Sequence, residues 1–513
     1  MKKRNYGLLF SYTNTFLNML CGLFLSSFLL RQLGDAEYGL YQTMSSFANY
    51  LVLLEFGTGT VMSRNIAACR AKGNSQIEIE KNISTIWAIT GFLSLLIVFV
   101  STIFYLSIDK LYANSLTSEQ IIAGKKIFAL ITFYLVASFY SQTLSGVTLA
   151  FEDYSFSPLS SIIRTVVRTC LLVALLLNWK NSIIIAVVDV ILSFSIAAFS
   201  YLYCRRKYRV KITLHNFDKA ILKTSLPFCL AIFLQGFVNQ ANNNVGKFIL
   251  GVKVGPEAVS LLSVGLYIYS VFSSLTTVPI SMYMPQITRD VLSGLRGRTL
   301  TEHLVQPSRL IALVGGTVLF GFFAAGRAFI RLVYGEQYNL AWMIALILMV
   351  PMFINMTSGV VINVLDVMNK RLVRSLILCG MAVLNILLSI YLIDAWGSIG
   401  SAVATSICVV VGQVVILNIY YSKVIGINIL WLYRYSYKGI LVFQLLAAVT
   451  GYAVSEAISN VFWSFFAGGA TYVIIAFGGY LLFGTNKTEK NALRGIAKRL
   501  KSPPLKNKKG LTP

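Results

Sequence analysis

Between Lys81 and Asp109 the chain reads Ile83-Ser-Thr-Ile-Trp-Ala-Ile-Thr-Gly-Phe-Leu-Ser-Leu-Leu-Ile-Val-Phe-Val-Ser-Thr-Ile-Phe-Tyr-Leu106, 24 residues without a charge. A helix that crosses a bilayer needs about 20 mostly apolar residues, so this stretch reads as a membrane span. It is one of many. The 513 residues are 56% hydrophobic and 12% charged, against roughly 25% charged in a soluble protein, and the mean hydropathy is +0.72. Those proportions exclude a soluble enzyme, a disordered chain and a secreted disulfide scaffold. The expected fold is an all-α polytopic membrane protein.

Extended along the chain, the same reading places fourteen spans at 7–30, 41–63, 83–106, 126–150, 157–178, 182–203, 224–250, 258–283, 309–330, 340–364, 373–393, 398–421, 439–459 and 462–484. The start, Met1-Lys2-Lys3-Arg4 before the apolar run Tyr6–Leu30, reads as a first span rather than a signal peptide, because the run is too long for an h-region. Of the 44 Lys and Arg, 33 fall on the N-terminal side of these spans and nine on the other. That bias orients both termini to the cytoplasm. The two left over, Arg164 and Arg168, lie inside a span. The formal charge of +25 is thus mostly a matter of orientation, with anionic membrane lipids rather than nucleic acid as partner. The basic tail 485–513 fits the same role.

Three pairs of stretches recur at nearly one offset. Phe28–Glu37 resembles Phe248–Glu257, with Gly34 against Gly255; Gly146–Asp153 resembles Gly359–Asp366; Trp179-Lys-Asn-Ser-Ile resembles Trp396-Gly-Ser-Ile. The repeat unit is six spans, an even number, so its copies run parallel, an arrangement transporters use with the substrate site between halves. The expected organisation is an N-lobe over 1–204, a cytoplasmic linker over 205–223, a C-lobe over 224–422, two appended spans within 423–484, and the tail.

The order of four landmarks carries a family resemblance. They are Leu33-Gly-Asp-Ala-Glu-Tyr-Gly-Leu-Tyr41, Leu54-Glu-Phe-Gly-Thr-Gly59 followed by Arg64, Ile330-Arg-Leu-Val-Tyr-Gly-Glu-Gln-Tyr-Asn-Leu-Ala341, and Gly397-Ser-Ile-Gly-Ser-Ala402. The whole chain resembles the bacterial polysaccharide flippases of the Wzx type, in the superfamily that also holds lipid II flippases and multidrug and toxin extrusion exporters. The resemblance implies a V-shaped transporter of the bacterial cytoplasmic membrane that moves an undecaprenyl-pyrophosphate-linked oligosaccharide between leaflets by alternating access. It points to a polysaccharide polymerase and export machinery as partners. One departure stands out: relatives often carry an acidic residue in span 7, where this chain has Asn242-Asn243-Asn244.

A charge inside the bilayer is costly, by at least ~2.5 kcal/mol on insertion scales, and usually faces the bundle interior. Arg164 and Arg168 are four apart and share one face of their helix; two stacked guanidiniums suit a pyrophosphate. The competing reading is ion pairing, with Asp189 at the depth of Arg168 and Glu55 at the depth of Arg164. The two readings are compatible, since a pair that opens when phosphate arrives makes a switchable site. Span 7 carries Gln235, Asn239, Gln240, Asn242, Asn243, Asn244 and Lys247; with Gln235, Asn239, Asn242 or Asn243, and then Gly246 along one face it reads as a sugar-contacting wall, or as interhelical glue. Lys247 faces the cavity or snorkels, and Arg64 anchors at an interface or meets the incoming pyrophosphate.

The seven cysteines are scattered, and most lie inside apolar runs and act as small hydrophobes. His215 and His303 stand in polar sequence, so no metal site, cofactor or catalytic residue is expected. Two other functions compete with flipping. An ion-coupled multidrug exporter of the same superfamily would favour an acidic and aromatic cavity. A membrane-embedded polysaccharide polymerase or ligase would need a sizeable outer loop, whereas the longest expected here is about 107–125.

Overall fold

Gly34 lies at φ +79°, a conformation that only glycine adopts without strain, and there the first helix turns straight into the second. The computed structural model describes residues 2–71, 76–153, 155–208, 217–368, 370–486 and 489; the side chains of some further positions, Gln235, Asn239 and Asn243 among them, lie outside the description. Most described residues are helical and none is in a strand. The helices are α1 (Lys2–Leu51), α2 (Thr58–Ala71), α3 (Gln76–Leu111), α4 (Ser118–Ala150), α5 (Phe156–Leu176), α6 (Ile183–Tyr208), α7 (Lys219–Lys253), α8 (Pro256–Met282), α9 (Met284–Leu292), α10 (Gly297–Val333), α11 (Asn339–Thr357), α12 (Val360–Val367), α13 (Arg371–Cys408), α14 (Leu417–Ile425), α15 (Ile429–Tyr437), α16 (Leu441–Ala457) and α17 (Val461–Gly479).

Ten of the described helical stretches are long and apolar enough to cross a membrane, or eleven if α15 and α16, bent by 54°, count as one. The chain is a polytopic helical membrane protein. Its outer surface says the same. On α3, Phe92, Leu95, Phe99 and Leu106 are each more than 60% exposed, while Leu93, Ile97, Phe104 and Ile108 are buried. A helix apolar on both faces is tolerated only when lipid covers the outer one.

Helix boundaries depart from the expected spans where backbone conformation, not hydropathy, decides them. Spans 1 and 2 form one continuous helical stretch bent at Gly34, and the expected single helix 41–63 is interrupted by a 3₁₀ turn at Val52–Glu55, with Phe56 and Gly57 at positive φ. Spans 11 and 12 join in the same way at Gly397, φ +53°. The expected loop 107–125 is mostly helix, because α3 runs to Leu111 and α4 starts at Ser118 under a Thr117–Gln120 capping box. His303 lies in α10 and bonds Asp290 at 3.1 Å, rather than standing in a loop. His215 lies outside the described residues.

Two compact units emerge. The first comprises residues 1–274, 333–355 and 365–424. Within it α4 packs on α6 and α2, α1 on α5 and α7, and α13 on α7. Two of the landmark stretches meet here: Tyr338 donates to Asp35, the Ser26 and Tyr334 hydroxyls lie 2.8 Å apart, and the Arg31 guanidinium donates to the Val333 carbonyl at 2.9 Å. The second unit comprises 275–332, 356–364 and 425–513. Its α16 and α17 lie against each other, and Arg309, 1% exposed, donates to the carbonyls of Tyr435, Lys438 and Gly484 and to the Glu489 carboxylate.

Candidate functional site: an arginine-lined cavity

Helix α5 is built with two faces. Leu159, Ile163, Val167 and Leu171 are exposed on one side, while Ser157, Ser161, Arg164 and Arg168 recur at helical spacing on the other. Pro158 falls in the first turn, where a missing N–H costs nothing. Helix α6 runs antiparallel beside it, which sets 168 opposite 189 and 164 opposite 193.

The Arg168 guanidinium grips the Asp189 carboxylate with two bonds, Nε to Oδ1 at 2.5 Å and Nη2 to Oδ2 at 2.9 Å. Asp189 is 8% exposed and also accepts from the Tyr41 hydroxyl at 3.2 Å. Arg164 is held differently. Its Nη2 donates to the Ser193 hydroxyl at 3.2 Å, and its guanidinium lies 5.4 Å from the centre of the Tyr134 ring. Neither partner is anionic, and among the described residues Arg164 forms no ion pair. The depth match of Glu55 with Arg164 does not produce an ion pair: among the described residues Glu55 forms none.

Both arginines and Asp189 line a cavity of about 520 Å³ bounded by α1, α4, α5 and α6. Tyr41, Gln42 and Asn49 complete its α1 wall. A smaller chamber of about 300 Å³ adjoins it, sharing Tyr134, Leu135, Ser161 and Arg164, and holds Glu55 and a serine-rich wall from α4, α5 and α6. Sequence reading missed that wall, although Ser138, Ser141 and Ser145 on α4 recur at helical spacing just as the α5 serines do.

Helix α7 backs the larger cavity. Lys247 donates to the Gln42 amide oxygen at 3.3 Å, Asn49 to Asn244 at 3.3 Å, and Asn244 to Gln240 at 2.5 Å. The described amides of α7 thus hydrogen-bond across to α1 and to each other, and Lys247 turns inward to Gln42, one residue behind the cavity surface. Gln235, Asn239 and Asn243 belong to α7, but their side chains lie outside those described. Arg64 is exposed on α2 and lines neither cavity. No cluster of three or more His, Cys, Asp or Glu side chains with metal-binding geometry occurs among the described residues.

A comparison with curated proteins yields no match. Among solved structures, the lipid II flippase MurJ in its inward closed conformation superposes with a TM-score of 0.71 at 17% identity, covering 92% of this chain and 99% of that one. An inward-facing multidrug resistance MATE family transporter of the MOP superfamily gives 0.57 at 14% identity, covering 82% and 96%. A mutant of the Vibrio cholerae MATE transporter VcmN gives 0.54 at 11% identity, covering 84% and 99%. At such identities the likeness is one of fold. The family model described as "Polysaccharide biosynthesis protein" matches residues 6–290, more than half of the sequence. On a fold shared with flippases and multidrug transporters, the chain belongs to the polysaccharide biosynthesis protein family.

Proposed function

We propose that this protein is a transporter, not an enzyme, that flips an undecaprenyl-pyrophosphate-linked oligosaccharide across the bacterial cytoplasmic membrane by alternating access, with both termini on the cytoplasmic side. The observation that carries the reading is the pair Arg164 and Arg168, one helical turn apart on a cavity wall inside a membrane helix bundle. The pair is graded. Among the described residues Arg164 meets neutral partners, Ser193 and Tyr134, and it is the first anchor for an anion. Arg168 is already satisfied by Asp189, so a pyrophosphate must compete with that carboxylate for it. A bidentate guanidinium–phosphate contact is strong enough to do so because it is charge-assisted at both bonds.

When the anion takes Arg168, Asp189 keeps the Tyr41 hydroxyl as donor, which limits the cost of releasing its cation. When the anion leaves, the pair re-forms. Substrate presence is thereby converted into a change of partner on α6, the neighbour of α5. A net-positive cavity suits an anionic head group and works against the cationic substrates of drug exporters. Membership of the polysaccharide biosynthesis family supports the sugar portion of the reading.

The test is flipping in reconstituted vesicles loaded with a fluorescent undecaprenyl-pyrophosphate-linked oligosaccharide. Arg164→Ala plus Arg168→Ala is expected to reduce transfer between leaflets at least tenfold. Undiminished transfer by the double variant would remove the basis for the site.

A further inference from the structure

The chamber of about 300 Å³ next to Arg164 has a chemistry that phosphate binding does not use. A serine inside a helix ordinarily donates its hydroxyl to the carbonyl three or four residues back, as Ser94, Ser107 and Ser138 do here. Four serines of the chamber wall do not. Ser141, Ser160, Ser161 and Ser200 line it, and their hydroxyls make no hydrogen bond among the described residues. Each hydroxyl is one donor and two acceptor lone pairs, so the wall offers paired donor and acceptor capacity without net charge. That capacity matches the vicinal hydroxyls of a sugar ring. It matches neither a lipid tail, which needs an apolar wall, nor a second phosphate, which needs cations.

Position narrows the ligand further. The chamber opens onto the arginine cavity at Arg164 itself. In a lipid-linked sugar the first ring is bonded directly to the pyrophosphate, so a phosphate on Arg164 leaves that ring at the chamber mouth. At about 300 Å³ the chamber has room for a sugar ring. Glu55 also lines the chamber and forms no ion pair among the described residues. An acidic sugar would set a second carboxylate beside it, whereas an uncharged one gains an acceptor.

We infer that the serine chamber is the subsite for the first sugar ring of the transported lipid, and that it selects an uncharged, hydroxyl-bearing hexose. The inference rests on the reading of Arg164 and Arg168 as the pyrophosphate site. Calorimetric binding to the purified full-length protein tests it with three probes: farnesyl pyrophosphate, farnesyl-pyrophosphoryl glucose, and the same glucose probe fully O-methylated. The glucose probe is expected to bind about tenfold tighter than the other two, the yield of a few hydrogen bonds. Ser141→Ala plus Ser160→Ala is expected to abolish that advantage while farnesyl pyrophosphate binds as before, which also reports that the variant is folded. Ser160→Leu, which fills the chamber, is expected to exclude the sugar with the same selectivity. Equal binding of farnesyl pyrophosphate and the glucose probe by the unmodified protein would overturn the sugar subsite and leave the phosphate site standing. So would an equal loss of both probes in the serine variants. Failure of the unmodified protein to bind farnesyl pyrophosphate at all would overturn the phosphate reading, and this inference with it.

Discussion

Arg164 and Arg168 are one turn apart on the same helix yet respond differently to truncation, because their partners differ. Arg164→Ala removes a cation that only a hydroxyl and a ring face accompany, so flipping should fall at least tenfold while the thermal midpoint of the purified protein stays within a degree or two. Arg168→Ala leaves Asp189, 8% exposed, without its cation. Losing hydrogen bonds to a charged group costs about 2 kcal/mol, a moderate figure here because the Arg168 side chain remains 27% exposed. Adding Asp189→Asn to Arg168→Ala should restore most of that stability without restoring transport. A thermal-shift series on the two single variants and the double decides between a structural pair and a shared substrate role: if the double variant recovers transport as well, Arg168 is merely structural.

At the scale of elements, close helix crossings and loop clusters set the frame for the cavity. A Cβ at Gly146 would fall 2.1 Å from the Gly59 carbonyl oxygen, so α2 and α4 touch there through backbone. Gly146→Ala should therefore lower the thermal midpoint by several degrees, and Gly146→Val should abolish accumulation of folded protein. Between α4 and α5, Asp153 gathers Lys207 at 2.5 Å, Tyr203 at 2.7 Å and Tyr208 at 2.8 Å. Burial alone would raise its carboxyl, but those hydrogen bonds outweigh it and hold the group below the ordinary carboxylate range. A depressed folded-state value means stabilisation that is present above the unfolded carboxyl value and lost as pH falls through the folded one. Melting curves from neutral to acid pH should show the native protein losing more stability than Asp153→Asn, whose profile should be flatter. Both features escape hydropathy. The crossing depends on two glycines 87 positions apart, and the loop cluster depends on α6 returning to the α4–α5 turn.

Within the second unit of the molecule, Arg309 serves as a staple. Among the described residues it is the largest fully buried side chain, and it draws α10, the α15–α16 region and Glu489 together. Removing one partner of a buried pair costs 3–5 kcal/mol, so Arg309→Ala should lower stability by about 3 kcal/mol or prevent assembly altogether. Glu489→Gln, which keeps the carbonyl partners, should cost clearly less. Comparing unfolding of the two variants in detergent checks the order. By charge counting Arg309 is one more cation of the N-terminal side. Only the folded chain shows it to be wholly buried.

Hydropathy is a local property of some twenty residues, so the helical, multi-pass architecture and the inward face of Arg164 and Arg168 were legible in the sequence alone. Asp189 was legible as a partner because antiparallel neighbours of known length have predictable depths. The match of Glu55 to Arg164 rested on depth alone: the two line one chamber but form no ion pair among the described residues, since depth leaves the separation across a cavity open. The joining of spans at Gly34 and Gly397, and the 3₁₀ break at Val52–Glu55, hinge on single backbone conformations that leave no hydropathy signal. The cavity wall from Tyr41 and Gln42 and the serine chamber were likewise decided by tertiary structure. A serine facing a ligand and one bonded to its own helix are identical in sequence, and only the packing of α4, α5 and α6 separates them.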